Sequence, residues 1–350
     1  MAKQKEDDPV KAVIAGIKAR VKHGTARLLS EGTDSDVEEV IPTGIDVLDH
    51  HVLSIGGLPV GRIVELYAGE GVGKTSLLFQ MIAGAQREGG VACLNETEHA
   101  IDAPRAAAFG CDIDRVVLEQ SDTLEDAYAW IESALDSAPR SKKGDPPFFV
   151  SFDSLAATPS MKEVKEGLHG KDAAMDRAKV TSKALRILTP KVAGARAVWV
   201  VVNQTRTLVG GGWGSSTTTP GGAALKFHAS IRLELFSGKS IKAVVGGMEQ
   251  HVGKQVTMMA AKTKVGGRPW AKAKVRLYYE TGWNNAWSTV WHAKDRKLVP
   301  ASAKYNEETY LMALKALGWN RGFAAGGMAE PVGDVEDTDE ELLGESDDLD

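Results

Sequence analysis

Cysteine is nearly absent from this 350-residue chain: Cys93 and Cys111 are all there is. Two cysteines in that placement give neither a metal-ligand spacing nor a disulfide framework, so a reducing compartment is expected. Apolar runs of membrane-spanning length are missing too, and the first residues, Met1-Ala2-Lys3-Gln4-Lys5, lack the apolar stretch of a signal peptide. A cytoplasmic protein that does not enter a membrane is the expectation. No internal repeat is visible. Basic residues are absent from 330–350, where eleven of the 47 Asp and Glu sit, so the formal charge of −5 hides a body with 42 basic and 36 acidic side chains. Such a tail reads as a disordered acidic appendage, serving either solubility or competition with a polyanion for a basic groove.

What is present is ordinary globular composition, 43% hydrophobic and 25% charged, enough for one large core with small appendages. Residues 9–22, PVKAVIAGIKARVK, space apolar residues as a helix does. TARLL (25–29) reads as a short strand and SEGTDSDVEE (30–39) as a polar linker. Strand-like and helix-like pieces then alternate from about 40 to 282. Strands are expected at 62–67, 91–95, 148–152, 197–202, 231–236 and 256–261, with helices after Lys74, from Leu124 and from Met175. This is the pattern of a doubly wound α/β sheet. Residues 139–147 read as a surface loop, and one further helix is expected near 306–318.

AGEGVGKTS (68–76) follows the first of the expected core strands and opens a helix, which is the setting of a P-loop. Its members are Ala68, Gly69, Glu70, Gly71, Val72, Gly73, Lys74, Thr75 and Ser76; Ala68 stands where glycine is usual. Backbone amides there cradle phosphates, Lys74 reaches toward the β/γ-phosphates, and Thr75 offers a hydroxyl to Mg²⁺. FFVSFDS (148–154) ends an apolar strand at Asp153, a carboxylate for the metal's water shell or, failing that, a cap of the next turn. Ser151 is unexpectedly polar for that strand. In LNETEHAID (94–102), Glu96 and Glu98 would share a face if both lay on a strand, and one could activate water while the other forms a salt bridge. VVNQT (201–205) ends a further strand in amides, with Gln204 able to sense a terminal phosphate.

Taken in order, TGIDVLD (43–49), GGLPVGRIVELYAGEGVGKTS (56–76), AGAQREG (83–89), ETEHAID (96–102), FDS (152–154), VVNQTR (201–206) and TTTPGGAALKFHAS (217–230) resemble the RecA recombinases of bacteria and their phage relatives over about residues 10–282. The resemblance implies a RecA-like P-loop ATPase core with a central, mostly parallel twisted sheet at 39–282. It also implies a polymerisation segment and linker at 1–38, a shortened C-terminal region at 283–329 and the acidic tail at 330–350. The cofactors would be ATP and Mg²⁺. The partners would be single-stranded DNA, homologous duplex, further copies of the chain in a helical filament, and single-strand-binding and loader proteins.

Within that family likeness Glu98 would activate water, supported by Glu96, and Gln204 would link the terminal phosphate to a DNA-binding loop. Lys226 would lie near the protomer interface. Lys262 and Lys264 would reach the neighbour's ATP as an arginine finger does; the alternative is a solvated basic edge. Asp102 would meet adenine, and Arg105 stands where the family often has an aromatic. LVGGGWGSSTTTPGG (208–222) would be the second DNA loop, with Arg206 at its start. Gly211, Gly212, Thr218, Thr219, Gly221 and Gly222 would approach phosphates and Trp213 would stack on bases. The first DNA loop would lie near 164–172 and include Lys171. On the following helix Lys179, Lys183 and Arg186 share a face, with Ser182 and Arg186 on the DNA backbone and Lys179 where the family carries arginine; a solvated helix face is the alternative. The N-terminal helix and strand would dock on a neighbour by strand addition. A ring-shaped RecA-like motor or helicase, or an ATP-binding DNA-coating protein with little turnover, are the other readings of the same motifs.

Overall fold

The computed structural model describes residues 8–22, 26–32, 36–139, 142–167, 173–207, 217–319 and 334–335. It divides into two compact units, Met1–Asp36 and Val37–Asp350.

In the first unit, α1 (Pro9–Arg20) starts where Asp8 accepts a hydrogen bond from Val10 N at 3.0 Å, with Pro9 at the first helical position. Lys18 and Arg20 occupy its last turn, where cations suit the helix dipole. Val10, Val13 and Ile17 fall on one face, and all three are exposed. The expected strand at 25–29 is not found among the described residues. Leu29–Glu31 forms a single 3₁₀ turn closed by Gly32 at φ +83°.

The second unit begins with a small antiparallel pair, β1 (Val40–Ile41) and β2 (Leu58–Pro59). The core follows as β3 (Arg62–Ala68), α2 (Lys74–Arg87), β4 (Val91–Glu96), α3 (Ala103–Ala108), β5 (Val116–Glu119), α4 (Leu124–Ser137) and β6 (Phe148–Asp153). Next come α5 (Met161–Glu166), α6 (Ala173–Gly194), β7 (Ala197–Gln204), the short β8 (Arg206–Thr207) and β9 (Thr217–Thr218), and α7 (Ala223–His228). The chain continues with β10 (Ile231–Val245), β11 (Met248–Thr263), β12 (Lys272–Tyr278), β13 (Gly282–Asn284), α8 (Asn285–Asp295), α9 (Glu307–Leu317) and β14 (Asp334–Val335).

The main sheet runs β13-β12-β11-β10-β3-β7-β6-β4-β5. Pairing is parallel from β10 to β5 and antiparallel from β10 to β13. The period-2 alternation of the buried strands sorts side chains to two faces. Val198, Val200 and Val202 of β7 join α2 residues such as Leu77 and Met81 in one core. Ala197, Trp199 and Val201 join Tyr128 and Ile131 of α4 and Leu185 and Leu188 of α6 in the other. Ser151 is tolerated inside β6 because its hydroxyl donates to Cys93 O at 3.2 Å. Cys93 and Cys111 are buried free thiols.

Two features go beyond the sequence reading. β10 and β11 are far longer than expected, joined by Gly246 and Gly247 at φ +60° and +81°, the signature of a two-residue type I′ hairpin. α8, unexpected, packs on α9 in a separate core of residues such as Val290, Tyr310 and Leu314. Within the acidic tail, Asp334 and Val335 pair antiparallel with Val244 and Ala243 of β10. Among the described residues no helix is long and apolar enough to cross a membrane.

Candidate nucleotide-binding site

The parallel strands β3, β4, β6 and β7 end on one edge of the sheet, where open α/β sheets bind ligands. There a cleft of about 310 Å³ is lined by Gly71, Gly73, Lys74, Thr75, Ser76 and Glu70 from the loop after β3. Glu98, Asp102, Arg105, Asp153 and Gln204 complete its polar lining. Gly73 is the N-cap of α2 at φ +118°, and no side chain caps that helix. The first amides of α2 are therefore left for an anion, and the volume lies in the range of a small-molecule site.

Lys74 is buried, and its Nζ donates to Gly69 O at 2.8 Å. Burial pulls its pKa down, while Asp153, Glu98 and Glu70 pull the other way. Thr75 Oγ1 donates to Asp153 Oδ2 at 2.8 Å. Burial raises the Asp153 carboxyl to about 7, against the Thr75 hydrogen bond and Lys74, with Glu98 and Glu96 adding to the rise. A hydroxyl and a buried carboxylate held together beside a lysine are a donor set that suits Mg²⁺ with a phosphate.

Glu96 and Glu98 do not share a strand face, contrary to the expectation. β4 ends at Glu96, whose Oε1 accepts from Glu98 N at 2.8 Å and Ala100 N at 3.2 Å, while Oε2 accepts from Gln120 Nε2 at 2.9 Å. Those bonds turn the chain and aim Glu98 into the cleft. Glu98 Oε1 accepts from Ser154 Oγ at 2.6 Å and from Gln204 Nε2 at 3.2 Å. Asp102 lies at the N-cap of α3 without a side-chain capping bond, and the Arg105 guanidinium sits 5.8 Å from the Phe109 ring centroid.

Gln204 closes β7 and leads into β8. Arg206 and Thr207 of β8 pair with Thr218 and Thr217 of β9; residues 208–216, between them in sequence, lie outside the described residues. Asn203 Nδ2 ties that pair to the core, donating to Glu65 Oε1 at 3.1 Å and Pro220 O at 3.0 Å. Glu65 is itself buried against Arg232. Arg206 is exposed; Thr219 is buried, and its hydroxyl has no hydrogen-bond partner among the described residues. Gly221 is buried rather than presented: at φ +88° a Cβ there would come within 2.5 Å of Leu155 Cδ2. Gly222, at φ +72°, faces Ala178 of α6. Lys179, Lys183 and Arg186 are exposed on α6 and Ser182 is half-buried, while Ala184 and Leu188 face the core. Lys171, Gly211, Gly212 and Trp213 lie outside the described residues.

Lys226, Lys262 and Lys264 do not line the cleft. Lys226 Nζ donates to Thr218 Oγ1 at 3.2 Å. Lys262 Nζ donates to the carbonyls of Lys226, Phe227 (3.2 Å) and Ala229 (2.9 Å), and Lys264 Nζ to Phe227 O at 2.7 Å. Both lysines thus satisfy the carbonyl end of α7. Burial, Lys264 and Arg232 bring the Lys262 ammonium down to about 8.

A family model described as the RecA N-terminal domain matches residues 9–284. The chain belongs to the RecA family. Among curated relatives, "Protein RecA" of Symbiobacterium thermophilum is 38% identical over 80% of this chain and 75% of its own length. "Protein RecA" of Acholeplasma laidlawii is 34% identical over 81% of each, and that of Francisella philomiragia 39% over 75% of this chain and 68% of its own. Behind the lining of this RecA-family cleft, the sequence did not point to Ser154, which holds Glu98, or to the Asn203–Glu65–Arg232 group. The signal for Asn203 was present, as an amide next to Gln204 at the end of a buried strand.

Proposed function

We propose that this chain is a DNA-dependent ATPase that assembles as a helical filament on single-stranded DNA and catalyses homologous pairing and strand exchange. The observation that carries the reading is the Gln204–Glu98 hydrogen bond at 3.2 Å. Both partners line the cleft, and Gln204 also ends β7, two residues before Arg206 opens the β8–β9 ribbon.

ATP with Mg²⁺ supplies the phosphoanhydride whose terminal phosphoryl group passes to water. The amides around Gly71–Ser76 and the Lys74 ammonium would bind its phosphates, and Thr75 with Asp153 would hold the metal. Glu98 would take the proton of the attacking water, oriented by Ser154 and Gln204. Asp102 and Arg105 border the same cleft and would meet the base. A rearrangement at Glu98 would reach Arg206 through one hydrogen bond and two residues of chain, the second of which, Thr205, donates its N–H to Ala68 O at 3.0 Å. Lys262 and Lys264 would act on a neighbour's cleft, with Lys226 at the same interface. Exposed Arg206, Lys179 and Arg186, with Ser182 and Thr218, would meet DNA phosphates, which predicts steep salt dependence and little sequence preference, whereas the buried Thr219 would not. Gly221 and Gly222 would serve that surface indirectly, by seating the loop on Leu155 and Ala178.

The test is ATP turnover with and without single-stranded DNA, using Lys74→Ala as the blank. Wild type is expected to be stimulated by the strand, and Gln204→Ala to turn over ATP at the same rate with the strand as without it, whatever its rate without DNA. Stimulation that survives Gln204→Ala would remove the proposed link, and a wild-type rate equal to the blank would remove catalysis.

A further inference from the structure

The phosphate loop is gripped from outside the cleft by a residue that no part of the loop motif contains. Lys254 of β11 donates from Nζ to Gly71 O at 2.5 Å, across 183 residues of sequence. Its ammonium also sits 5.8 Å from the centroid of the Tyr279 ring. Neither Lys254 nor Tyr279 lines the cleft, although Gly71 does. The same corner of the sheet closes on the end of the loop. A Cβ on Gly73 would meet Leu277 Cδ2 at 2.8 Å and the Trp283 ring at 3.5 Å. Gly253 lets β11 approach β12 closely, since a Cβ there would fall 2.4 Å from Leu277 O. The antiparallel extension β11–β13 therefore backs the phosphate loop.

A peptide unit is planar and trans, so its carbonyl and the following N–H point in opposite directions. A phosphate loop works only while its amides converge on the anion and its carbonyls face away. The buried Val72 side chain anchors residue 72 but does not set which way the Gly71–Val72 peptide plane faces. Gly71 adopts φ +66°, and nothing lies within 4 Å of where its Cβ would be. Rotation of that unit would swing a carbonyl toward the phosphates and an amide away from them.

We infer that Lys254 is a positioning residue for nucleotide binding: by holding the Gly71 carbonyl on the outer side of the loop, it keeps the Val72 N–H turned to the phosphates. This rests on the cleft being a nucleotide site. It differs from a direct role, in which the Lys254 ammonium would attract the phosphates through space. Methionine keeps the length of the lysine stem and loses the donor, whereas arginine keeps a charged donor.

The experiment is equilibrium binding of fluorescent ADP and ATP, with Mg²⁺ and without DNA, to wild type, Lys254→Met, Lys254→Arg and Lys74→Ala. Lys254→Met is expected to raise both dissociation constants on the order of tenfold, as loss of one charge-assisted hydrogen bond does. Lys254→Arg should restore binding, and the melting temperatures of the ligand-free proteins should agree. The ratio between wild type and Lys254→Met should hold between about 0.05 and 0.5 M salt, because a short hydrogen bond is screened far less than a charge acting at a distance. Unchanged affinity in Lys254→Met would overturn the inference, as would a ratio that collapses with salt. If wild type and Lys74→Ala bind alike, the nucleotide reading itself fails. If Lys74→Ala abolishes binding while Lys254→Met is silent, only the role of Lys254 does.

Discussion

Asp153 shows what burial does to a single side chain. With its pKa raised from 3.8 to about 7, the carboxyl holds a proton more tightly in the folded chain than in the unfolded one. Its contribution to stability is fullest below the unfolded value and is lost as pH rises through about 7. Asp49, raised to about 8 by burial against its hydrogen bonds to Thr43 and Gly44, has the same sign. A divalent ion needs the ionised carboxylate, so Mg²⁺-dependent ADP binding should strengthen from about pH 6 to about pH 8. Asp153→Asn should bind more weakly and flatten that dependence, as titration calorimetry across the range would read. At Glu98, Gln is close to isosteric but is no base: Glu98→Gln should lower turnover about 10²- to 10⁴-fold while leaving nucleotide affinity within a few fold. Both carboxylates could be read from the sequence, because motif order places them. Ser154 as the holder of Glu98 could not, since that contact bridges 56 residues.

Elements were legible wherever their period was clean. The valine-rich β7 and the helix after Lys74 were expected close to their observed bounds. The outer half of the β10–β11 hairpin was not, because exposed residues such as Lys239, Lys242 and Glu249 break the apolar alternation that marks a half-buried strand. Gly246-Gly247 was the available signal for it. The resemblance implies that Gly221 and Gly222 approach DNA phosphates, yet Gly221 is fixed by the close passage of Leu155, a residue distant in sequence. Gly221→Ala should therefore cost about 1–3 kcal/mol, combining an overpacked contact with an unfavourable φ. Thermal unfolding would measure it, and loss of DNA binding without loss of stability would contradict the packing account. β8 and β9, two residues each, are too short to leave a pattern, and only the structure reveals them as a pair.

For the molecule as a whole, charge separates a basic body from an acidic tail, and the described part of that tail pairs with β10. Deleting residues 330–350 should tighten duplex DNA binding, most at low salt, where such charges act over the longest range. Unchanged binding there would leave the tail as a solubility device. Deleting residues 1–30, which include the exposed apolar face of α1, should shorten filaments seen by electron microscopy. The central claim joins the cleft, the loops and the assembly, and the most direct test is strand exchange. Wild type and Lys74→Ala would each be mixed with a single strand and a labelled homologous duplex in the presence of ATP and Mg²⁺. Exchange by wild type alone is the expected result. DNA-stimulated ATP turnover without exchange, on closed rings rather than filaments, would contradict the account.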